Sequence, residues 1–326
     1  MTPRYLETYA SGQLARIARQ ATAMLESCRL CPRECKINRL KGQKSFCKTT
    51  DKASVYSYLC HQGEEPPVSG SRGSGTIFFS HCTMACHYCQ NFEFSQKGGG
   101  SKELTPSELA DIMLELQGRG CHNLNFVTPT HVLPQILNAL LLAIPGGLNI
   151  PLVYNTSGYE LAERIRMLDG IIDIYLPDMR YGDSAMSRKY SLAPDYPAYN
   201  QAAVKEMFRQ VGTAVFDLNG IIERGLIIRH LVLPGGASGT ETIMRFIAQE
   251  LSTETYVSLM SQYTPYYKAA EYPEINRRIS LQEYEKAQQI MEEYGLGNGW
   301  IQEAGGLESL AGVHIKSVFK KESEGT

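Results

Sequence analysis

Eight of the nine cysteines of this 326-residue chain fall between positions 28 and 89; the ninth, Cys121, stands alone. They divide into a group of four (Cys28, Cys31, Cys35, Cys47) and a group of three (Cys82, Cys86, Cys89), with Cys60 between them. The first twenty residues carry scattered arginines and no apolar core, so an export signal is not expected and the cytoplasm is the expected compartment. In a reducing compartment, clustered thiols read as metal or redox ligands rather than disulfides. Cys60 and Cys121, outside both groups, read as ordinary buried thiols.

The remainder of the chain reads as alternating strands and helices. Residues 3–26 have helical spacing of apolar positions, and 28–60 have little periodicity. A polar stretch over 61–75, with prolines and glycines, marks a boundary. We therefore expect an N-terminal helix and cysteine-rich cap over 1–75 and a second unit over 76–326. In that unit strands are expected at 76–80, 123–128, 152–155, 171–176, 226–233 and 256–260, with a last one near 300. Helices are expected at 107–117, 134–144, 160–168, 202–211, 241–251 and 280–294. Repeated strand–helix units of this kind imply an α/β fold with a parallel sheet, here a partial (β/α)6 TIM-type barrel. In such folds chemistry belongs at the C-terminal ends of the strands.

Composition excludes several other classes. Lys and Arg total 32 against 34 Asp and Glu, a near balance that argues against a broad basic face for nucleic acid. Hydrophobic residues make up 43%, enough for a sizeable core. The greasiest run, 139–144, is far too short for a membrane span, and Pro145 ends it.

Directly after the first strand of the second unit comes Cys82-x3-Cys86-x2-Cys89. Thiolates select iron–sulfur clusters, zinc or copper(I). A structural zinc site wants four ligands, whereas three thiolates on one compact loop suit a 4Fe–4S cubane with one iron open to a substrate or cofactor. With Tyr88 just before the last cysteine, this loop resembles that of the radical S-adenosylmethionine superfamily. The resemblance implies that Cys82, Cys86 and Cys89 hold the catalytic cluster. It also implies that S-adenosylmethionine binds the open iron through its amino and carboxylate groups. One electron then cleaves the sulfonium to methionine and a 5′-deoxyadenosyl radical that abstracts hydrogen. The segments Cys31-Pro32-Arg33-Glu34-Cys35, Asn38-Arg39, Gly63-Glu64-Glu65-Pro66, 70–79 and Tyr88-Cys89-Gln90-Asn91 are similar to the pyruvate formate-lyase activating enzyme-like subgroup. That likeness implies a glycyl-radical activase or another oxidoreductase acting on a protein, a peptide or a small molecule, supplied by an external donor of flavodoxin or ferredoxin type.

The superfamily often ends its second strand in Gly-Gly-Glu. Here that place is taken by Thr128-Pro129-Thr130-His131, a departure that leaves Thr128 and Thr130 to serve the cofactor. Asn155 and Ser157 at the third strand end, Asp178 at the fourth and Arg229 on the fifth complete the expected cofactor set with Tyr88. The fork of Arg229 suits a carboxylate. The plain alternatives are caps and turns: Asn155 or Ser157 capping a helix, Asp178 holding a turn after Pro177. His61, Glu64 and Glu65 are expected to reach over the cluster. Tyr263, Tyr266, Tyr267 and Tyr272 read mainly as packing.

The group Cys28-x2-Cys31-x3-Cys35-x11-Cys47 offers four thiolates among the basic residues Arg29, Arg33, Lys36 and Lys48. Four ligands suit zinc or a second cluster, and zinc is favoured because no companion set repeats the ferredoxin spacing. A purely zinc-binding interaction module and a simple electron carrier are the rival readings of the whole chain.

Overall fold

The computed structural model describes residues 1–302. The expected fraying of 320–326 lies outside the described residues. Ten strands are present among the described residues. They are β1 (Ala53–His61), β2 (Ser74–Phe79), β3 (Lys102–Leu104), β4 (Leu124–Val127), β5 (Leu152–Thr156), β6 (Ile174–Pro177), β7 (Val215–Phe216), β8 (Ile222–Leu231), β9 (Tyr256–Met260) and β10 (Gly299–Ile301). Their spatial order is β10-β9-β8-β6-β5-β4-β2-β1-β3, with β7 added to β8. Every pairing from β2 through β4, β5, β6, β8 and β9 to β10 is parallel. The fold is α/β with a mostly parallel sheet, left open at both edges, consistent with the expected partial barrel.

Alternation along the strands decides what each face does, because successive side chains point to opposite sides. Ile77 and Phe79, Leu124 and Phe126, Leu152 and Tyr154, Tyr175, Leu226 and Ile228, and Val257 and Leu259 join the large core beneath the helices. The other parity, Val153, Ile174, Leu176 and Ile227, forms a second small core with Val68 and Ile222 on the inner face. The same parity also carries the polar residues Asn125, Asn155, Asp178, Arg229 and Ser258, with Val127 and Met260 at the ends of β4 and β9. The helices stop and start where the sequence demands. Pro106–Gly118 opens with a Thr105/Glu108 capping box, and Leu281–Glu293 with Ser280/Glu283.

Three of the differences from expectation concern the N-terminal part of the chain and its cysteines. The N-terminal helix is broken into Tyr5–Ala10 and Gln13–Ala23, because Gly12 takes a left-handed conformation (φ 74°). Residues 53–61, inside the stretch read as aperiodic, form β1, which pairs antiparallel with β2. Cys60 and Cys121, read as separate thiols, are joined as a disulfide. Cys60 lies opposite Gly75, and Gly75 pairs with Leu124, so sheet register brings Cys121, just ahead of β4, beside β1.

Candidate active site at the strand ends

The loop after β2 carries Cys82, Cys86 and Cys89, all three unpaired thiols. Its backbone is pinned by Tyr190 and Ser191: Ala85 N–H donates to the Ser191 carbonyl (3.1 Å) and His87 N–H to that of Tyr190 (2.8 Å). Met84 N–H donates to Cys82 Sγ (3.3 Å). Burial pushes the Cys82 thiol up to about 12 and the Cys89 thiol up to about 11. A buried thiol in this state is neutral until a metal displaces its proton. Around the loop lies a tyrosine-rich core of Tyr88, Tyr159, Tyr181, Tyr190, Tyr196 and Tyr263. The Tyr181 hydroxyl donates to that of Tyr88 (2.7 Å), and the rings of Tyr88 and Tyr263 meet edge to face at 5.5 Å. Of the late tyrosines, Tyr272 lies against His87 and Tyr267 stacks on Phe92, while Tyr263 is buried, donates to the Ile275 carbonyl and also lines a cavity beside Cys89.

Beside Cys89, two adjoining cavities of about 170 and 190 Å³ share Gln90, Asn91, Asp178, Arg180, Arg229 and Gln262 as walls. Tyr88 lines the first; Thr128, Asn155 and Ser157 line the second. Six of the seven expected cofactor residues therefore meet in one place. Thr130 does not line either cavity. It is buried, and its hydroxyl donates to Glu160 (2.5 Å), which also receives Thr156 (2.5 Å). The reason is the turn between them: Thr128 is left-handed (φ 59°), so the chain swings away and Thr130 falls behind the wall. His230 is likewise structural, with its ring between the Met179 carbonyl (2.7 Å) and Thr240 (2.9 Å).

A charged network makes the cavity wall. Arg229 donates through Nε to Asp178 (2.9 Å) and through Nη2 to Asn155 (2.6 Å), and Nη1 lies 3.5 Å from Glu64. Its fork is thus taken by protein groups. Arg180, which the sequence reading did not single out, pairs with Asp178, and its Nη1 lies 3.8 Å from Cys86 Sγ. Burial alone would push the Asp178 carboxyl up, but Arg180 and Arg229 together hold it below the ordinary range. Burial dominates at Glu64 and Glu65 and pushes both carboxyls up against the pull of Arg229. The tops of β5 and β6 are locked together. The Tyr196 hydroxyl sits 2.7 and 2.9 Å from the Ser157 and Asp178 carbonyls, and the Asn200 amide donates to those of Gly158 and Asp178. A Cβ on Gly158 (φ 75°) would collide with that amide and with the Asp178 carbonyl.

Glu64 lines the cavity beside the cysteine loop, and Glu65 does not. Their segment enters the inner face ahead of the helix Pro66–Ser69, whose Val68 packs into the small inner core. Glu64 accepts from Asn125 (3.0 Å) and Asn155 (3.4 Å), and so forms the floor of the cavity. His61, at the end of β1, lines the same cavity.

A family model described as the radical SAM superfamily matches residues 76–190, a span that holds all three cysteines. An uncharacterized protein of Methanocaldococcus jannaschii is 33% identical over 291 residues, covering 85% of this chain and 77% of that protein. The chain belongs to the radical SAM superfamily. Membership implies a 4Fe–4S cluster and S-adenosylmethionine, which is cleaved at the cluster with an electron from an external donor. Among solved structures, the chain is similar to a radical SAM methyltransferase from Sphaerobacter thermophilus (16% identity, 72% of this chain and 68% of that one, TM-score 0.48). It is also similar to methylornithine synthase (13% identity, 68% and 62%, TM-score 0.43). No helix among the described residues is long and apolar enough to cross a membrane.

Proposed function

We propose that this radical SAM enzyme holds its cluster on Cys82, Cys86 and Cys89 and its S-adenosylmethionine in the two cavities beside Cys89. The observation that carries the reading is the juxtaposition itself: three unpaired thiols on the loop after β2, next to a polar cavity at the ends of the parallel strands. The donor set fits. Three free thiols on one short loop can ligate three irons of a cubane and leave the fourth open to the cofactor. The cavity also offers two buried polar atoms without partners, Ser157 Oγ and Arg180 Nε. Those are the groups a zwitterionic methionine and a ribose would satisfy.

When bound, the cluster and cofactor supply one-electron cleavage of a sulfonium and a carbon radical that takes hydrogen from a substrate. The chain's own residues set its conditions. Arg180 presents a donor toward a carboxylate, and its charge is already balanced by Asp178, so it stays in place without the ligand. Asn155 and Ser157 face the cavity from β5 and its end, and Thr128 from the end of β4. Arg229, held by Asp178, Asn155 and Glu64, is a positioning residue that fixes the wall rather than a free ligand for the cofactor. Tyr88, Tyr181 and Tyr263 enclose the loop and exclude water.

For the substrate, the resemblance over 31–39, 63–66, 70–79 and 88–91 supports a glycyl-radical-activase-like oxidoreductase. Its hydrogen donor would be a glycine of a partner protein, with a flavodoxin- or ferredoxin-type electron donor in the cytoplasm. The test of the chemistry is anaerobic incubation of iron-loaded protein with dithionite and S-adenosylmethionine. Release of 5′-deoxyadenosine is expected, and Cys86→Ala should abolish it. No release from loaded protein, or equal release from the variant, overturns the reading.

A further inference from the structure

The four N-terminal cysteines are not part of the site above. Cys28, Cys31 and Cys47 are buried, Cys35 is half-buried, and none is in a disulfide. Backbone pairing gathers them. Cys28 N–H donates to the Ile37 carbonyl and Lys36 N–H to that of Cys28 (both 2.9 Å), which lays Cys35 beside Cys28. The turn is completed by Glu34 and Lys36 in left-handed conformations. A second turn, closed by Lys48 N–H on the Ser45 carbonyl (2.9 Å), carries Cys47. Leu30 N–H donates to the Cys28 sulfur and Arg33 N–H to that of Cys31, each two residues on. Met84 N–H does the same for Cys82. The two sets therefore present sulfur in the same way, and their spacings, C-x2-C-x3-C and C-x3-C-x2-C, mirror each other.

The second observation is a buried cation. Arg39 is wholly buried, donates to the Thr50 carbonyl through Nε (2.9 Å) and Nη2 (2.6 Å), and places Nη1 3.9 Å from Cys28 Sγ. No carboxylate pairs with it among the described residues. A buried guanidinium without a counter-anion is strongly unfavourable, and the Cys28 sulfur beside it can supply negative charge as a thiolate. A thiolate–metal complex is anionic and meets that need. A zinc tetrathiolate and a 4Fe–4S tetrathiolate meet it equally, so the kind of metal is read from the likeness of this set to the Cys82 loop. The thiols are near enough to feel one another's charge.

We propose that Cys28, Cys31, Cys35 and Cys47 bind a second 4Fe–4S cluster, in place of the zinc that the sequence favours. It stands one side chain from the first set. Arg33, whose guanidinium lies 3.4 Å from the centre of the Phe46 ring, donates through Nε to the Thr83 carbonyl (2.8 Å) next to Cys82. The site is independent of the cofactor chemistry and is tested without it. A Cys82→Ala/Cys86→Ala/Cys89→Ala variant, reconstituted anaerobically with ferrous iron and sulfide, should retain about four iron and four sulfide per chain, against about eight in the unmodified protein. It should also give an EPR signal on reduction with dithionite. Cys28→Ser/Cys31→Ser should halve the iron of the unmodified protein. A triple variant that binds one zinc and no iron, two irons only, or no metal overturns the proposal.

Discussion

Two arginines of this fold face sulfur at nearly the same distance, Arg180 beside Cys86 (3.8 Å) and Arg39 beside Cys28 (3.9 Å), and they differ in what balances their charge. Arg180 has Asp178, which it shares with Arg229. Arg39 has a carbonyl and sulfur. At the strand ends the chain neutralises its own cation and is preorganised before any ligand arrives. In the N-terminal segment neutrality is left to whatever the cysteines hold. Near-identical sulfur–guanidinium geometry thus serves one cation balanced by a carboxylate and one balanced by what the cysteines hold.

The largest expected effect tests the self-balanced half. Asp178→Asn leaves Arg180 and Arg229 without their shared carboxylate, and should cost about 3–5 kcal/mol of stability whether or not iron is bound, read by urea unfolding under anaerobic conditions. Arg39→Met should behave differently in the two states. In iron-loaded protein it removes the counter-charge of an anionic site and should destabilise by roughly 3 kcal/mol. In protein stripped by a chelator it removes an unbalanced cation and should be neutral or stabilising. The same sign in both states would erase the contrast between the two arginines.

Glu160 gives a smaller effect with a defined pH window. Burial raises its carboxyl to about 7, while the hydroxyls of Thr130 and Thr156 and that of Tyr154 lower it by less. The folded chain therefore keeps a proton that the unfolded chain releases near 4.5. Stability relative to Glu160→Gln should fall as pH rises from about 4.5 to about 7, by roughly 3 kcal/mol, and stay level above that. A flat difference between the two proteins from pH 4.5 to 8 would show that the carboxyl is ordinary. The smallest effect is the baseline: Lys205→Ala, at an exposed ion pair with Glu250, should change stability by less than about 1 kcal/mol in either iron state.

Much of the strand-end site was legible because it follows one parity. Asn155, Asp178 and Arg229 were found by asking which polar residues end predicted strands. Arg180 lies two positions past Asp178, farther from the end of the strand at Pro177, where no sequence pattern marks it. The floor was not legible. Glu64 and Glu65 are expected near the cluster, but their inward course depends on long-range contacts, the packing of Val68 and the hydrogen bonds of Glu64 with Asn125 and Asn155. Strand β1 was hidden because its second half, from Tyr58, is only half-buried and lacks clean alternation. The link between Cys60 and Cys121, 61 residues apart, depends on sheet register that no local pattern encodes.

The inward segment at Glu64 also bears on the order in which the chain can fold. Its partners Asn125 and Asn155 lie 61 and 91 residues downstream, and Arg229 is later still. Synthesised early, it can find its place only after β4, β5 and β8 have come together. Contacts of such long range pay their loop-closure entropy late and slow the search. Seating of this segment is therefore the expected last step of folding. Substitutions at Glu64 should act chiefly on the rate of unfolding, leaving the rate of folding nearly unchanged.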